Sequence, residues 1–366
     1  MDSLIVNRQW SSRPDEERYV SLLDLHDANI TQYQNSRQKV VSLKTIEAQP
    51  EFDGMKIVFR DTGKEAGLSN WAYNQIGNQL QISPGFTSTL PPKIAADVFN
   101  WGLSKADDSA KSNFLATKAD DGVLIRSVTS EKYGRIWNYQ ISSPLVERFG
   151  DGITGDWTVP GEFGKKVEIT KRNTTLYRSD RDMFVCLVDE KNKIQVPNRR
   201  NGQAGEVSRG FIITNSEVGA GVIAVYFFTF DYFCMNRTIW GLDNVTEIKL
   251  RHTLNAPDRW LDEIAPAIEN YGQVKASSFE QKLIAAQNTK LDKPAEEILL
   301  SKLSIPTTKK MIDGICTAYA KDEPDHPVME TVFDLTVGVT AYARSIPFQN
   351  ERVPVERAAG KLLELV

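Results

Sequence analysis

The sequence has little cysteine and histidine and no long hydrophobic run. Its three cysteines are too few for a disulfide framework, and an odd count favours a reducing cytoplasm. The longest apolar run, Val218 to Phe230, is shorter than the ~20 residues that a membrane-spanning helix needs, and its composition predicts one buried strand. The N-terminus lacks the basic start and apolar stretch of a secretory signal. We therefore expect a cytoplasmic protein with no membrane partner.

Motifs of the common catalytic and cofactor sites are also missing. The sequence contains no G-x-x-x-x-G-K-[ST], H-E-x-x-H, C-x-x-C or G-x-S-x-G, and no G-x-G-x-x-G at the start of a helix. Zinc needs three or four converging ligands, and the three histidines, His26, His252 and His326, lie far apart in the sequence. We therefore expect no cofactor, no metal and no dedicated catalytic constellation.

The composition is that of a globular protein. Hydrophobic residues make up 41% and charged residues 25% of 366 residues, and this length predicts roughly two domains. The expected fold class is α+β, with an antiparallel-rich central sheet, flanking helices and a helical C-terminal region. We expect an N-terminal polar segment over 1–54, an α/β core over 55–254 and the helical region over 255–366.

Several local patterns predict individual elements. Met55 to Arg60 alternates as a strand, and Met183 to Val188 is a continuous apolar strand. Ser69 or Asn70 is expected to cap a helix, and Pro91-Pro92 to open a second one. Tyr133 to Ile141 is predicted to be another strand.

Positive charge is concentrated in one segment. Residues 165–209 carry eleven Lys and Arg against six Asp and Glu, a net +5, so the rest of this chain of net −4 carries −9. A cationic sheet face with aromatic residues can hold a phosphodiester backbone and stack bases; the alternative is a solvated outer face with charges that protect strand edges. The candidate DNA-binding residues here are Lys165, Lys166, Lys171, Arg172, Tyr177, Arg178, Arg181, Lys191, Lys193, Arg199, Arg200 and Arg209.

A second basic group lies upstream. Arg126, Lys132 and Arg135 surround Tyr133 and Trp137, and we include the three cations among the candidate DNA-binding residues. The alternative is a hairpin whose aromatic residues belong to the core.

The segment Asn215-Ser216-Glu217-Val218-Gly219 is the most unusual short stretch. Asn and Gly suit a tight connection or a bulge between two buried strands. Glu217 could accept hydrogen bonds from backbone N–H groups in that turn, pair with an arginine across the sheet, or serve as a catalytic carboxylate.

Several segments of the sequence, in the order in which they follow one another, resemble those of a known family. Arg209 to Gly219, the strand to Asn236 and Arg251-His252 resemble the phage/plasmid-like family catalogued as domain of unknown function nine-three-two. Val123 to Arg126, followed by Ser130 to Tyr133, is similar to the family's arginine strand and S-x-x-Y element. The resemblance covers roughly residues 55–255.

The resemblance implies a phage, prophage or plasmid origin. More distantly, the chain resembles single-strand annealing recombinases, which implies ATP-independent binding and annealing of single-stranded DNA by an oligomeric ring or filament, with a phage or plasmid exonuclease as a further partner. The first alternative is a phage structural or assembly protein. The second is an enzyme with Glu217, Arg251 and His252 in a pocket.

Overall fold

Two β-sheets with flanking helices form the fold, which confirms the predicted α+β class. No helix in the part of the chain described below has both the length and the apolar character needed to cross a bilayer. The computed structural model describes residues 13–52, 54–119, 122–160, 168–196, 205–231, 236–238, 247–273, 277–346 and 349–366.

The large sheet contains nine strands in the order β1-β9-β10-β12-β13-β14, with β8, β11 and β15 paired beside this path, and its pairings are antiparallel. All seven residues of β10 are buried because both faces of the sheet are covered. Its strands are β1 (Arg18–Tyr19), β8 (Trp157–Thr158), β9 (Leu176–Arg178), β10 (Met183–Asp189), β11 (Ile194–Val196), β12 (Gly205–Asn215), β13 (Ile223–Asp231), β14 (Asn236–Thr238) and β15 (Glu247–Leu250).

The small sheet has the order β2-β6-β7-β5-β4-β3, and among its described pairings β5–β7 is parallel and the others are antiparallel. One face is apolar and packs against two helices. In β7, Arg126 is an extra residue between the pairs Ala116–Ile125 and Leu115–Ser127, which makes a β-bulge. Its strands are β2 (Ser36–Ser42), β3 (Ile46–Glu51), β4 (Gly54–Phe59), β5 (Lys64–Leu68), β6 (Lys111–Ala119) and β7 (Gly122–Ser130).

The helices cover the sheets and form the C-terminal region. The Ser69 hydroxyl accepts a hydrogen bond from the Ala72 N–H, which confirms the predicted cap. A π-helical turn, Trp260–Ile264, joins α6 to α7. The helices are α1 (Leu22–Asn35), α2 (Asn70–Gln79), α3 (Pro84–Thr87), α4 (Pro92–Lys105), α5 (Asn138–Phe149), α6 (Ala256–Arg259), α7 (Ala265–Gln273), α8 (Ser277–Asn288), α9 (Ala295–Lys302), α10 (Lys309–Asp322), α11 (Val332–Ala343) and α12 (Gln349–Leu362).

Two predicted strands differ from the observed elements. The strand expected over Tyr133–Ile141 is wrong: residues 133–137 form an extended loop, and α5 begins at Asn138. The single strand expected over Val218–Phe230 begins only at Ile223, because residues 217–221 turn away from the large sheet.

The described N-terminal residues contribute strands to the sheets, and the C-terminal helices pack against the large sheet. The boundary expected after residue 54 falls one residue into β4, which pairs with β3, so residues 13–52 belong to this fold rather than to a separate segment. The region from residue 255 onward is helical, as predicted. Val353 of α12 packs on one face of the large sheet with Phe184 and Phe228, and Leu283 of α8 joins the core on its other face.

Candidate functional site

The second face of the small sheet is polar and mostly buried, and we call it the polar face. Gln38, Leu115 and Ser127 are cross-strand neighbours on this face, and Asn113 lies two residues from Leu115 along β6. The bulged Arg126 also turns toward it. Two segments meet this face, the loop 131–137 and the connection 215–219 from the large sheet.

Glu217 is the centre of the contact between the two sheets. Its buried carboxylate accepts from the Arg126 guanidinium at 3.0 Å and from the Asn138 N–H at the start of α5 at 2.8 Å. The Gln32 amide also donates to it, at 3.4 Å. Glu217 therefore pairs with an arginine of the other sheet, which is one of the alternatives left open by the sequence. Both carboxylate oxygens of Glu217 are therefore occupied by donors of the protein.

The backbone around Glu217 is anchored by side chains from several elements. Trp71 and Gln75 of α2 donate to the Val218 carbonyl at 2.9 and 2.8 Å. The Tyr133 hydroxyl donates to the Ser216 carbonyl at 2.8 Å. Gly219 follows with φ of 80°, a conformation that favours glycine. The unusual sequence of this segment is thus explained by a tight turn that joins the two sheets.

Arg135 is a buried cation with no carboxylate partner among the described residues. Its side chain is 4% exposed. The guanidinium donates to the Gln38 side chain at 2.9 Å and to the Glu217 carbonyl. It lies over the rings of Tyr133 and Trp137, 5.3 and 5.7 Å from their centroids. Burial lowers the pKa of Arg135 to about 10, so the side chain remains charged at neutral pH.

Tyr133 links the loop 131–137 to Arg251-His252. Its ring stacks on His252 with centroids 4.9 Å apart. The Gly134 N–H donates to the His252 carbonyl at 3.2 Å, and His252 Nδ1 lies 3.1 Å from the Gly134 carbonyl oxygen. Burial lowers the pKa of His252, the hydrogen bond to Gly134 opposes this shift, and the Arg135 charge adds to it. His252 therefore acts here as a neutral packing and hydrogen-bonding residue.

Three aromatic side chains meet beside Arg135, and we call them the aromatic cluster: Tyr33, Trp137 and Tyr139. The Tyr33 ring is 4.9 Å from Trp137 in an edge-on arrangement and 4.4 Å from Tyr139. Tyr33 is 39% exposed, and the other two rings are half-buried. The cluster forms because α1 packs along α5. A partly exposed group of rings next to a cation can stack planar ligands.

The structure does not bring the basic candidates of residues 165–209 together on one surface. Arg178 and Arg181 lie near the start of β10, whereas Lys191, Lys193 and Arg209 lie near its end. A strand of seven residues is about 20 Å long, so the two groups are separated by about that distance. Lys171 lies beside the N-terminal segment, where its ammonium donates to the Asp15 carbonyl. Arg172 is exposed in the adjacent turn. Four candidates lie outside the described residues: Lys165, Lys166, Arg199 and Arg200.

Four of the candidates are buried and engaged within the protein. Tyr177 stacks on Phe184, Arg13 lies over its ring and the side chain is buried, so the ring is not accessible to a base. Arg126 pairs with Glu217, and Arg209 pairs with Asp189 at 2.8 Å. The fourth, Arg135, differs from the others because its Nη2 has no hydrogen-bond partner among the described residues. We therefore correct the expectation that Tyr177, Arg126 and Arg209 contact DNA, because each is already held by protein groups.

The remaining described candidates are accessible to different degrees. Arg178 is half-buried and donates to the Tyr19 hydroxyl at 3.0 Å. Lys191 and Lys193 pair with Asp156 and Glu206, each at 2.9 Å. Lys132 and Arg181 are exposed near the polar face, with the Arg181 guanidinium 5.3 Å from the Trp71 ring centroid.

Sequence reasoning missed Tyr33 and Tyr139. The signal for Tyr33 was the run Tyr33-Gln-Asn-Ser-Arg37, an aromatic residue in the last turn of a helix followed by a cation in the next strand. Within the described ranges no group of three or more His, Cys, Asp or Glu side chains is arranged to hold a metal ion. No family model, curated protein or solved structure matches this chain.

Proposed function

We propose that this chain binds single-stranded DNA and anneals complementary strands without nucleotide hydrolysis. The observation that carries the proposal is the aromatic cluster with Arg135 against Trp137. Aromatic rings stack on bases of any sequence, and neighbouring cations hold the phosphate backbone. Stacking uses the flat face of a base and leaves its pairing edge free, which annealing requires.

The exposed cations near the cluster provide the electrostatic part of the proposal. Lys132 and Arg181 are exposed near the polar face, and Arg37 is exposed in β2, four residues after Tyr33 in the sequence. We further propose, from the resemblance to phage and plasmid proteins, that the chain acts as a homo-oligomer. Many weak sites in a row then hold one strand.

Replacing Tyr33 with alanine should weaken binding of an oligo(dT) strand by about 1–3 kcal/mol, or about 5- to 150-fold, because a stacking surface is lost. The slope of log affinity against log salt should stay the same, since stacking releases no counterions. Fluorescence anisotropy titrations of the full chain at several salt concentrations measure both quantities. Tyr33→Phe keeps the ring and should bind like the wild type.

Trp101→Ala is the matched control. Trp101 is 63% exposed on α4, and α4 packs on the apolar face of the small sheet, opposite the polar face. Its loss should leave DNA affinity unchanged. Equal affinities of wild type, Tyr33→Ala and Trp101→Ala would contradict the proposal.

A second candidate function is a phage assembly protein without catalytic activity. The observation that favours it is the exposure of Ile94 and Trp101, which lie two turns apart on one side of α4. In that case Trp101→Ala should change self-association or partner binding, and Tyr33→Ala should change neither.

A further inference from the structure

Three buried polar atoms on the polar face have no hydrogen-bond partner among the described residues: Arg135 Nη2, Ser127 Oγ and Asn113 Oδ1. Ser127 is 0% and Asn113 2% exposed. Most buried polar groups of folded proteins have a hydrogen-bond partner, so three unpaired polar atoms on one face of a sheet require an explanation. Each is able to bind a ligand atom.

The register of the small sheet places these groups together. Ser127 and Gln38 are both cross-strand neighbours of Leu115, and Asn113 is two residues from Leu115 on the same face. Arg135 reaches this face through its hydrogen bond to Gln38. Gln38 and Val40 are exposed on the edge strand β2, so this side of the polar face borders solvent, whereas Ser127 and Asn113 are buried.

The charges of the polar face do not balance. Arg126 and Arg135 are both buried, whereas the carboxylate of Glu217 is bonded to Arg126 and to the N-terminus of α5. One positive charge is left without a carboxylate among the described residues. A buried uncompensated charge is costly, and a bound anion offsets that cost.

We propose that the polar face binds the oxyanion of a phosphate group between the Arg135 guanidinium, the Ser127 hydroxyl and the Asn113 side-chain amide. Arginine and hydroxyl donors suit the oxygens of a phosphate. A 180° rotation of the Asn113 side-chain amide exchanges its oxygen and its NH2 group, so Asn113 can present the NH2 group to the anion. The phosphate comes either from free inorganic phosphate or from a nucleic-acid backbone. The site does not require the chain to anneal DNA.

Isothermal titration of the full chain with inorganic phosphate, alongside Ser127→Ala, tests the site. The orphan hydroxyl contributes no bond in the unliganded protein, so its removal should leave the denaturant midpoint unchanged or raised. The same variant should bind phosphate about tenfold more weakly, because one hydrogen bond to a charged ligand is lost. Ser88→Ala, at an exposed position on the other side of the small sheet, should bind like the wild type.

Competition with an oligo(dT) strand distinguishes the two sources. If the oligonucleotide displaces phosphate in the wild type, the site accepts a backbone phosphate. If phosphate stays bound in excess oligonucleotide, the site is for the free anion. No heat of binding at millimolar phosphate, or equal phosphate affinity in wild type and Ser127→Ala, would overturn the proposal.

Discussion

Replacing Glu217 with alanine should lower the free energy of unfolding by about 3–5 kcal/mol, because the change leaves the buried Arg126 guanidinium without its carboxylate. The Asn138 N–H at the start of α5 also loses its acceptor. Both groups are buried and cannot turn to water. The effect should exceed that of a surface ion pair, which contributes about 0–1 kcal/mol.

Urea unfolding of the full chain measures this loss. Glu217→Gln keeps an acceptor for the Asn138 N–H, so its free energy of unfolding should fall by less than that of Glu217→Ala. Glu131→Ala removes an exposed carboxylate from the neighbouring loop and should change stability by about 0.5 kcal/mol or less. A loss below about 1 kcal/mol in Glu217→Ala would show that this carboxylate does not hold the two sheets together.

Replacing Gly134 with alanine should cost about 3 kcal/mol or more, because the new Cβ has no room. An ideal Cβ at this position lies 1.8 Å from the Thr253 carbonyl oxygen and 3.1 Å from the Leu254 Cα. Both obstacles are backbone atoms, so the loop 131–137 must move as a whole. That movement separates Tyr133 from His252 and shifts Arg135.

Gly85→Ala is the control for this change, because a Cβ at Gly85 meets nothing within 4 Å and the residue lies in a short helix. It should change stability by about 1 kcal/mol or less. Thermal unfolding of both variants makes the comparison. If Gly134→Ala and Gly85→Ala unfold at the same temperature, the loop is not packed against residues 252–254 as described.

Local patterns predicted the strands whose signal is continuous. Met183 to Val188 is apolar at every position because both faces of the large sheet are covered, and the strand is found there. The strand predicted over Tyr133–Ile141 is not found. Arg135 and Gly134 are held in a loop by Glu217 and His252, which are distant in sequence. Tertiary contacts therefore decided a conformation that the local pattern does not encode.

Charge counting could not predict which cations are free. In the sequence, Arg126 and Arg209 each lie in a segment that is rich in Lys and Arg. In the structure, each pairs with one buried carboxylate. The aromatic cluster was equally hidden, because Tyr33 and Trp137 are more than 100 residues apart. They meet only because α1 packs along α5, where Asn29 donates to the Ser142 hydroxyl at 3.1 Å.

Photocrosslinking is the most direct test of the central claim that the aromatic cluster contacts single-stranded DNA. The full chain is irradiated with an oligo(dT) strand that carries 4-thiothymidine, and the crosslinked peptides are identified by mass spectrometry. We predict crosslinks to the peptides that contain Tyr33 and Trp137, and none to the peptide that contains Trp101. Binding of the strand with crosslinks only outside the aromatic cluster would contradict this account.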